Sequence, residues 1–145
     1  MSEIVPGLWL GNLECAQHYE WLANEGITHV LSLTSERVTI PVWTGIVHKQ
    51  FRVRDNRRQN LLAQLIDGMQ FLEEAFTGDR PVRVYVHCRM GISRSGSVVV
   101  GYLVMKYHSR PYKDALAFVR TKRVIVCPNK AFVSQLELLE SCAFD

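Results

Sequence analysis

Residues 82–107 constrain the fold more than any other part of this chain. Apolar and polar residues alternate from position 82 to position 87, which is typical of a β-strand. Gly91 then permits a tight turn, and a helix-like run follows from position 95 to position 107. The sequence therefore predicts a strand, a short loop and a helix that starts near Arg94.

This loop places a cysteine and an arginine, Cys88 and Arg94, with five residues between them. The first amides of a helix lack partners and point back into a preceding loop, where they and the helix dipole bind anions. The planar guanidinium of Arg94 can hold two phosphate oxygens at once. The loop is therefore predicted to bind phosphate through Arg89, Met90, Gly91, Ile92, Ser93 and Arg94.

Cys88 is the predicted nucleophile of this loop. A free thiol titrates at about 8.5, and a helix N-terminus with nearby cations lowers that to roughly 3.5–7.5, so we expect a thiolate at neutral pH. The hydroxyl of Ser95 can point at the same sulfur and stabilise it as a leaving group, while His87 is expected to orient the loop from behind. The alternative is a buried, inert cysteine, which leaves the strand, loop and helix around it unexplained.

The segment from His87 to Ser95 resembles the signature of cysteine-dependent protein phosphatases, His-Cys-x5-Arg-Ser/Thr. Its second half, Gly91 to Ser95, is most similar to the dual-specificity branch, and weaker similarities extend over nearly the whole chain. The resemblance implies a single catalytic domain over residues 1–145 that hydrolyses phosphotyrosine and phosphoserine or phosphothreonine in proteins. It also implies a phosphocysteine intermediate, a shallow pocket, and a role for Asn129 in bracing the loop, although Asn129 is equally a natural helix cap.

The hydrophobic pattern predicts an α/β fold. Strands are expected at residues 8–10, 27–33, 46–53 and 82–86, and helices at 13–24, 60–76, 95–107, 111–121 and 129–142. Alternating strands and helices predict one domain with a mostly parallel, twisted sheet of about five strands and helices on both faces. The resemblance implies the cysteine-phosphatase fold.

A phosphatase of this kind needs a carboxylic acid to protonate the leaving oxygen. In a parallel α/β sheet the active crevice lies beyond the carboxyl ends of the strands. Asp55 follows the strand predicted at 46–53, so it emerges beside Cys88 if that strand runs parallel to its neighbours. The resemblance points to the same residue. The alternative is a turn-forming Asp55 beside Asn56, and the surrounding arginines favour its ionised form.

Composition restricts the class of protein. With 145 residues, 48% apolar and 21% charged, the chain predicts one globular domain, and a net charge of +3 is too small to imply nucleic-acid binding. Four cysteines without paired spacing predict a reducing intracellular setting, the cytoplasm or also the nucleus, with Cys15, Cys127 and Cys142 in the core. No metal site, cofactor or membrane span is expected, and we expect a monomer.

The substrate is less constrained than the chemistry. Arg89, together with Arg57 and Arg58, could hold a second phosphate of a multiply phosphorylated partner, or the three could form a solvated basic rim. The same chemistry on an RNA 5′-phosphate, a phosphoinositide or a glycan is an alternative. A phosphate-binding protein without catalysis is another, although Cys88, Arg94 and Asp55 are all present.

Overall fold

The computed structural model describes residues 1–52, 62–107 and 111–143, and it contains a central five-stranded sheet. The strands are β1 (Ser2–Val5), β2 (Leu8–Gly11), β3 (His29–Leu33), β4 (Val47–Phe51) and β5 (Val84–His87). Their spatial order is β1-β2-β5-β3-β4, and only the β1–β2 pair is antiparallel. The predicted mostly parallel sheet is confirmed. Strand β1 was not expected, because its two polar residues followed by two apolar residues do not alternate.

Six α-helices surround the sheet in the described residues. They are α1 (Leu13–Gln17), α2 (Tyr19–Asn24), α3 (Leu62–Phe76), α4 (Arg94–Lys106), α5 (Tyr112–Lys122) and α6 (Lys130–Ala143). The prediction of one helix over residues 13–24 is wrong. The chain turns at His18, where φ is −94° and ψ is 63°, and its amide donates to the carbonyl oxygen of Cys15. Two short helices therefore replace one continuous helix.

The helices cover both faces of the sheet, as predicted. Helix α4 packs against β2, β3 and β5, and α3, α5 and α6 pack against α4. Alternating residues of β5 separate the two cores. Val84 and Val86 belong to the core beneath α4, whereas Tyr85 packs on the other face with Ala16 of α1 and Leu22 of α2. Helix α4 is itself buried over most of its length, which fixes its first turn against the sheet.

The cysteines differ in exposure. Cys88 is 2% exposed at the end of β5, and Cys15 is half-buried against the second core. The expectation that Cys127 lies in the core is wrong, because it is exposed. It lies in the segment between α5 and α6, where the side chains before and after it, Val126 and Pro128, turn inwards instead.

The parallel strands all end at one edge of the sheet, and this edge carries the predicted site. His87, at the end of β5, is in register with Gly11 of β2 and Ser32 of β3. Phe51, the last residue of β4, is in register with Leu33. The loop that follows His87 therefore leaves the sheet at the same edge as the chain that follows β4.

Candidate active site

The loop after β5 has its carbonyl groups turned outwards. Each carbonyl oxygen from residue 88 to residue 93 accepts a hydrogen bond from outside the pocket. The donors, in order, are His87 Nδ1, the Leu13 amide, Arg123 Nη2, Arg123 Nε, the Cys127 amide and the Ser97 amide. Because the peptides are planar and trans, the amides of residues 89–94 point the opposite way, into the pocket. Six convergent amides can bind an anion.

Gly91 is the residue that allows this loop to close. Its φ is +71°, a left-handed conformation that favours glycine. A Cβ at this position would lie 2.6 Å from the carbonyl oxygen of Gly11, which is backbone and cannot swing aside. The amide of Gly91 donates to the sulfur of Cys88 at 3.2 Å. The glycine therefore allows both the turn and a direct contact with the predicted nucleophile.

The sulfur of Cys88 also contacts the first turn of α4. The hydroxyl oxygen of Ser95 lies 3.1 Å from it, as the sequence predicts. Within the described residues, no side chain caps the start of α4. Ser93, at the capping position, instead accepts the amide of Asn129 through its hydroxyl at 3.0 Å. The first amides of α4 are left directed at the pocket, where a bound anion would satisfy them.

Arg94 is 6% exposed, and it lines the pocket together with the loop and two residues that follow β3, Ser35 and Glu36. The carboxylate of Glu36 was not predicted to lie there. It pairs with Arg89 at 3.5 Å and accepts a hydrogen bond from the hydroxyl of Thr34. That hydrogen bond lowers the pKa of Glu36, and its own backbone amide, Arg89 and Arg94 lower it further. The pocket mouth therefore carries a negative charge beside its arginines.

His87 is fully buried behind the loop. Its burial lowers its pKa to about 4, so the imidazole is neutral at pH 7. Its Nδ1 lies 3.1 Å from the carbonyl oxygen of Cys88, and its ring stacks on Tyr85. The side chain thus contacts the nucleophile's own peptide group, consistent with the orienting role expected for it.

Asn129 links the last helix to the loop, because its side chain caps the helix and its backbone amide contacts the loop. Its side-chain oxygen accepts the amide of Phe132 at 3.1 Å, which confirms the predicted cap of α6. Its backbone amide donates to Ser93, as described above. The bracing of the loop by Asn129, which the resemblance implies, therefore includes a hydrogen bond from the backbone amide of Asn129.

The structure brings Cys88, Gly91, Arg94 and Ser95 together around one pocket, and Met90 lies exposed on its rim. Asp55, Arg57 and Arg58 lie outside the described residues. Sequence reasoning gave no site role to Arg123, Glu36 or Ser32. Ser32 left one signal, because it is a polar residue between the apolar Leu31 and Leu33 of β3.

The described ranges contain neither a metal-binding cluster nor a helix suited to cross a membrane. No group of three or more His, Cys, Asp or Glu side chains in these ranges is placed to hold a metal ion. No helix in the same ranges has the length and apolar character needed to cross a membrane.

Comparisons with known proteins agree with this geometry. The family model for the dual specificity phosphatase catalytic domain matches residues 8–142. Dual specificity protein phosphatase 1B of Arabidopsis thaliana is 34% identical over 140 residues, which cover 97% of this chain and 81% of that protein. Dual specificity protein phosphatase MPK-4 of Drosophila melanogaster is 36% identical over 153 residues, but the match covers only 38% of its length.

A solved structure supports the same fold. The crystal structure of the human tyrosine phosphatase-like serine/threonine/tyrosine-interacting protein superposes with a TM-score of 0.87 at 28% identity, covering 100% of this chain and 98% of that one. The predicted cysteine-phosphatase fold is confirmed. The chain therefore belongs to the dual specificity phosphatase family, as its cysteine loop predicts, and is a phosphatase catalytic domain.

Proposed function

We propose that this chain hydrolyses phosphotyrosine and phosphoserine or phosphothreonine in proteins through a phosphocysteine intermediate. The observation that carries the proposal is the loop itself. Its six carbonyls face outwards, so its six amides point into the pocket, and the Gly91 amide donates to the sulfur of Cys88. This arrangement matches a phosphoryl group, which presents negative oxygens in a plane around the phosphorus.

In the first step, the Cys88 thiolate attacks phosphorus, so that an S–P bond forms as the P–O bond to the substrate breaks. Arg94 and the loop amides stabilise the charge on the equatorial oxygens. The departing oxygen takes a proton from Asp55. In the second step, Asp55 accepts a proton from water, the water oxygen bonds to phosphorus, and the S–P bond breaks. Ser95 donates to the sulfur as it leaves.

Asp55 remains a proposal from sequence, because it lies outside the described residues. The direction of β4 supports it, since this strand runs parallel to β3 and ends at the edge where the cysteine loop begins. A thiolate and a protonated acid working together predict a bell-shaped dependence of kcat/KM on pH with an acidic optimum. A rate that rises steadily into the alkaline range would contradict the pairing of Cys88 with Asp55.

Turnover of an aryl phosphate tests the chemistry. Wild type should hydrolyse it, and Cys88→Ser should lose at least about a thousandfold in kcat, because the hydroxyl is a far weaker nucleophile. Cys127→Ser is the matched control, since Cys127 is exposed and lies outside the pocket. A folded wild type that binds phosphate without turnover would indicate a phosphate-binding protein instead.

A substrate panel tests the protein preference. The curated relatives from Arabidopsis and Drosophila bear the name of protein phosphatases, which supports phosphorylated proteins as the substrates. Phosphopeptides should therefore show a higher kcat/KM than phosphoinositides, a phosphorylated glycan or a triphosphorylated RNA. A higher kcat/KM on one of those three would overturn the protein substrate while leaving the cysteine mechanism in place.

A further inference from the structure

A hydrogen-bonded network of three polar side chains, His48, Ser32 and His87, crosses one face of the sheet to the cysteine loop. The hydroxyl oxygen of Ser32 lies 2.8 Å from Nε2 of His48 and 2.6 Å from Nε2 of His87. Ser32 and His87 are fully buried on neighbouring strands β3 and β5, and His48 is half-buried on β4. The other ring nitrogen of His87 contacts the carbonyl of Cys88. The network thus crosses three strands and ends at the peptide group of the nucleophile.

The direction of every hydrogen bond in this network follows from which atoms can donate a proton and which can only accept one. A carbonyl oxygen only accepts, so Nδ1 of His87 carries the proton. His87 is neutral, so its Nε2 has no proton and must accept from the hydroxyl of Ser32. That hydroxyl has one proton, so Nε2 of His48 must donate to it. The order of donation is His48 to Ser32, Ser32 to His87, and His87 to Cys88.

The hydrogen bond from His87 Nδ1 to the Cys88 carbonyl acts on the peptide group that joins Cys88 to Arg89. Donation to its carbonyl polarises the peptide and strengthens its N–H as a donor. That N–H belongs to Arg89 and points into the pocket, because its carbonyl points out. With the opposite tautomer, Nδ1 of His87 would present a lone pair to the Cys88 carbonyl oxygen, and the peptide would lose its orienting contact.

We propose that Ser32 and His48 are positioning residues of the phosphatase site. They stabilise the tautomer of His87 that the contact with the Cys88 carbonyl requires, and His87 then keeps the Arg89 amide turned towards the phosphoryl group. The inference rests on the proposed function, since it assigns these residues to the same phosphate-binding loop.

The test compares Ser32→Ala and His48→Leu, which interrupt the hydrogen-bonded network at two points, with His48→Gln, whose side-chain amide keeps a donor. Thr28→Val is the matched control. Its hydroxyl makes a similar contact of 2.8 Å with Nδ1 of His29, but at the other end of β3, away from the loop. The readouts are inhibition by inorganic phosphate, kcat and KM on an aryl phosphate, alkylation of Cys88 by iodoacetate, and the unfolding midpoint.

Ser32→Ala and His48→Leu should each weaken inhibition by phosphate roughly tenfold, the size of one lost hydrogen bond to a polarised group. Alkylation of Cys88 should be less well protected by phosphate in both. His48→Gln should stay within about threefold of wild type, and Thr28→Val should leave phosphate inhibition unchanged even if its unfolding midpoint falls. Folded Ser32→Ala and His48→Leu proteins with wild-type phosphate affinity would overturn the inference.

Nitrogen-15 NMR of wild type gives a second test that needs no variant and no turnover. At pH 7, His87 should show a protonated Nδ1 and an unprotonated Nε2, and a proton on Nε2 would overturn the inference. Phosphate that fails to protect Cys88 in wild type would contradict the proposed function instead. The two failures are therefore distinguishable.

Discussion

The Nε atom of Arg123 lies 2.9 Å from the carbonyl oxygen of Gly91, a residue 32 positions earlier in the chain. The same guanidinium donates from Nη2 to the carbonyl of Met90 at 3.1 Å. Arg123 follows the last residue of α5, so this helix is anchored directly to the outer side of the cysteine loop. One side chain thus fixes two of the six outward carbonyls.

Arg123→Met should weaken both stability and catalysis, because two loop carbonyls lose a charged donor. We expect a loss of about 2 kcal/mol in the free energy of unfolding and a drop of roughly ten- to hundredfold in kcat/KM. Lys122→Met, on the exposed side of the same helix, is the control for loss of charge alone. An Arg123→Met protein with wild-type kcat/KM would show that the loop holds its shape without this anchor.

Gly91→Ala should lower the free energy of unfolding far more than Gly45→Ala. Both glycines have similar φ values, +71° and +74°, so an alanine costs about 1–2 kcal/mol at each through backbone strain. Only at position 91 does the added Cβ also meet backbone, at 2.6 Å, while position 45 has nothing within 4 Å. Urea unfolding should show the larger loss for Gly91→Ala, and aryl phosphate turnover should fall in that variant alone. Equal losses of stability would contradict the packing argument.

Ser95→Ala should slow the second chemical step. Its hydroxyl lies 3.1 Å from the sulfur of Cys88, and one hydrogen bond to a charged group is worth about 1.5–3 kcal/mol, or roughly ten- to a hundredfold in rate. Rapid mixing with an aryl phosphate should then reveal a burst as phosphocysteine accumulates. Ser95→Thr, which keeps the hydroxyl, should restore most of the steady-state rate. No burst together with an unchanged kcat would remove Ser95 from the mechanism.

Glu36→Gln should improve binding of a second phosphate. The carboxylate pairs with Arg89 at 3.5 Å, so neutralising it leaves that guanidinium available to a doubly phosphorylated peptide. An exposed pair is worth at most about 1 kcal/mol, so KM for such a peptide should fall no more than about fivefold. The gain should vanish in an Arg89→Ala background. An equal gain there would mean that Glu36 acts by general repulsion rather than through Arg89.

Stability should decrease on acidification between pH 6.5 and about 4. Burial lowers the pKa of His87 from 6.5 to about 4, so in this range the unfolded chain binds a proton that the folded chain does not. The free energy of unfolding therefore rises with pH across the window, by on the order of 3 kcal/mol from this residue. His29 and His48, whose pKa values burial also lowers, add in the same direction.

Urea denaturation of wild type and His87→Gln at pH 7 and pH 4.5 measures this contribution. The variant should be less stable at pH 7 but should lose less stability on acidification, because its residue 87 does not titrate. The same pH dependence in both proteins would show that other groups account for it.

Much of the candidate site could be predicted from local sequence. The strand at β5, the turn at Gly91 and the helix from Arg94 are adjacent in the chain, so their geometry follows from local preferences of the backbone. The contact between Cys88 and Ser95 also spans only seven positions. The alternation of strands and helices likewise predicted the mostly parallel sheet. The helix break at His18 was missed, because the apolar pattern continues through it.

The contacts that hold the loop from outside depended on the tertiary structure. Arg123, Glu36 and the pair Ser32 and His48 come from distant parts of the chain. The strand order β5-β3-β4 places Ser32 and His48 beside His87, and the packing of α5 against α4 places Arg123 on the loop. A single sequence indicates which residues form each strand but not which strands lie beside it, since pairing depends on which buried faces pack together. The sequence alone determined the reactive atoms and the loop that carries them. The fold decided which side chains orient that loop, because those contacts form only once the sheet has assembled.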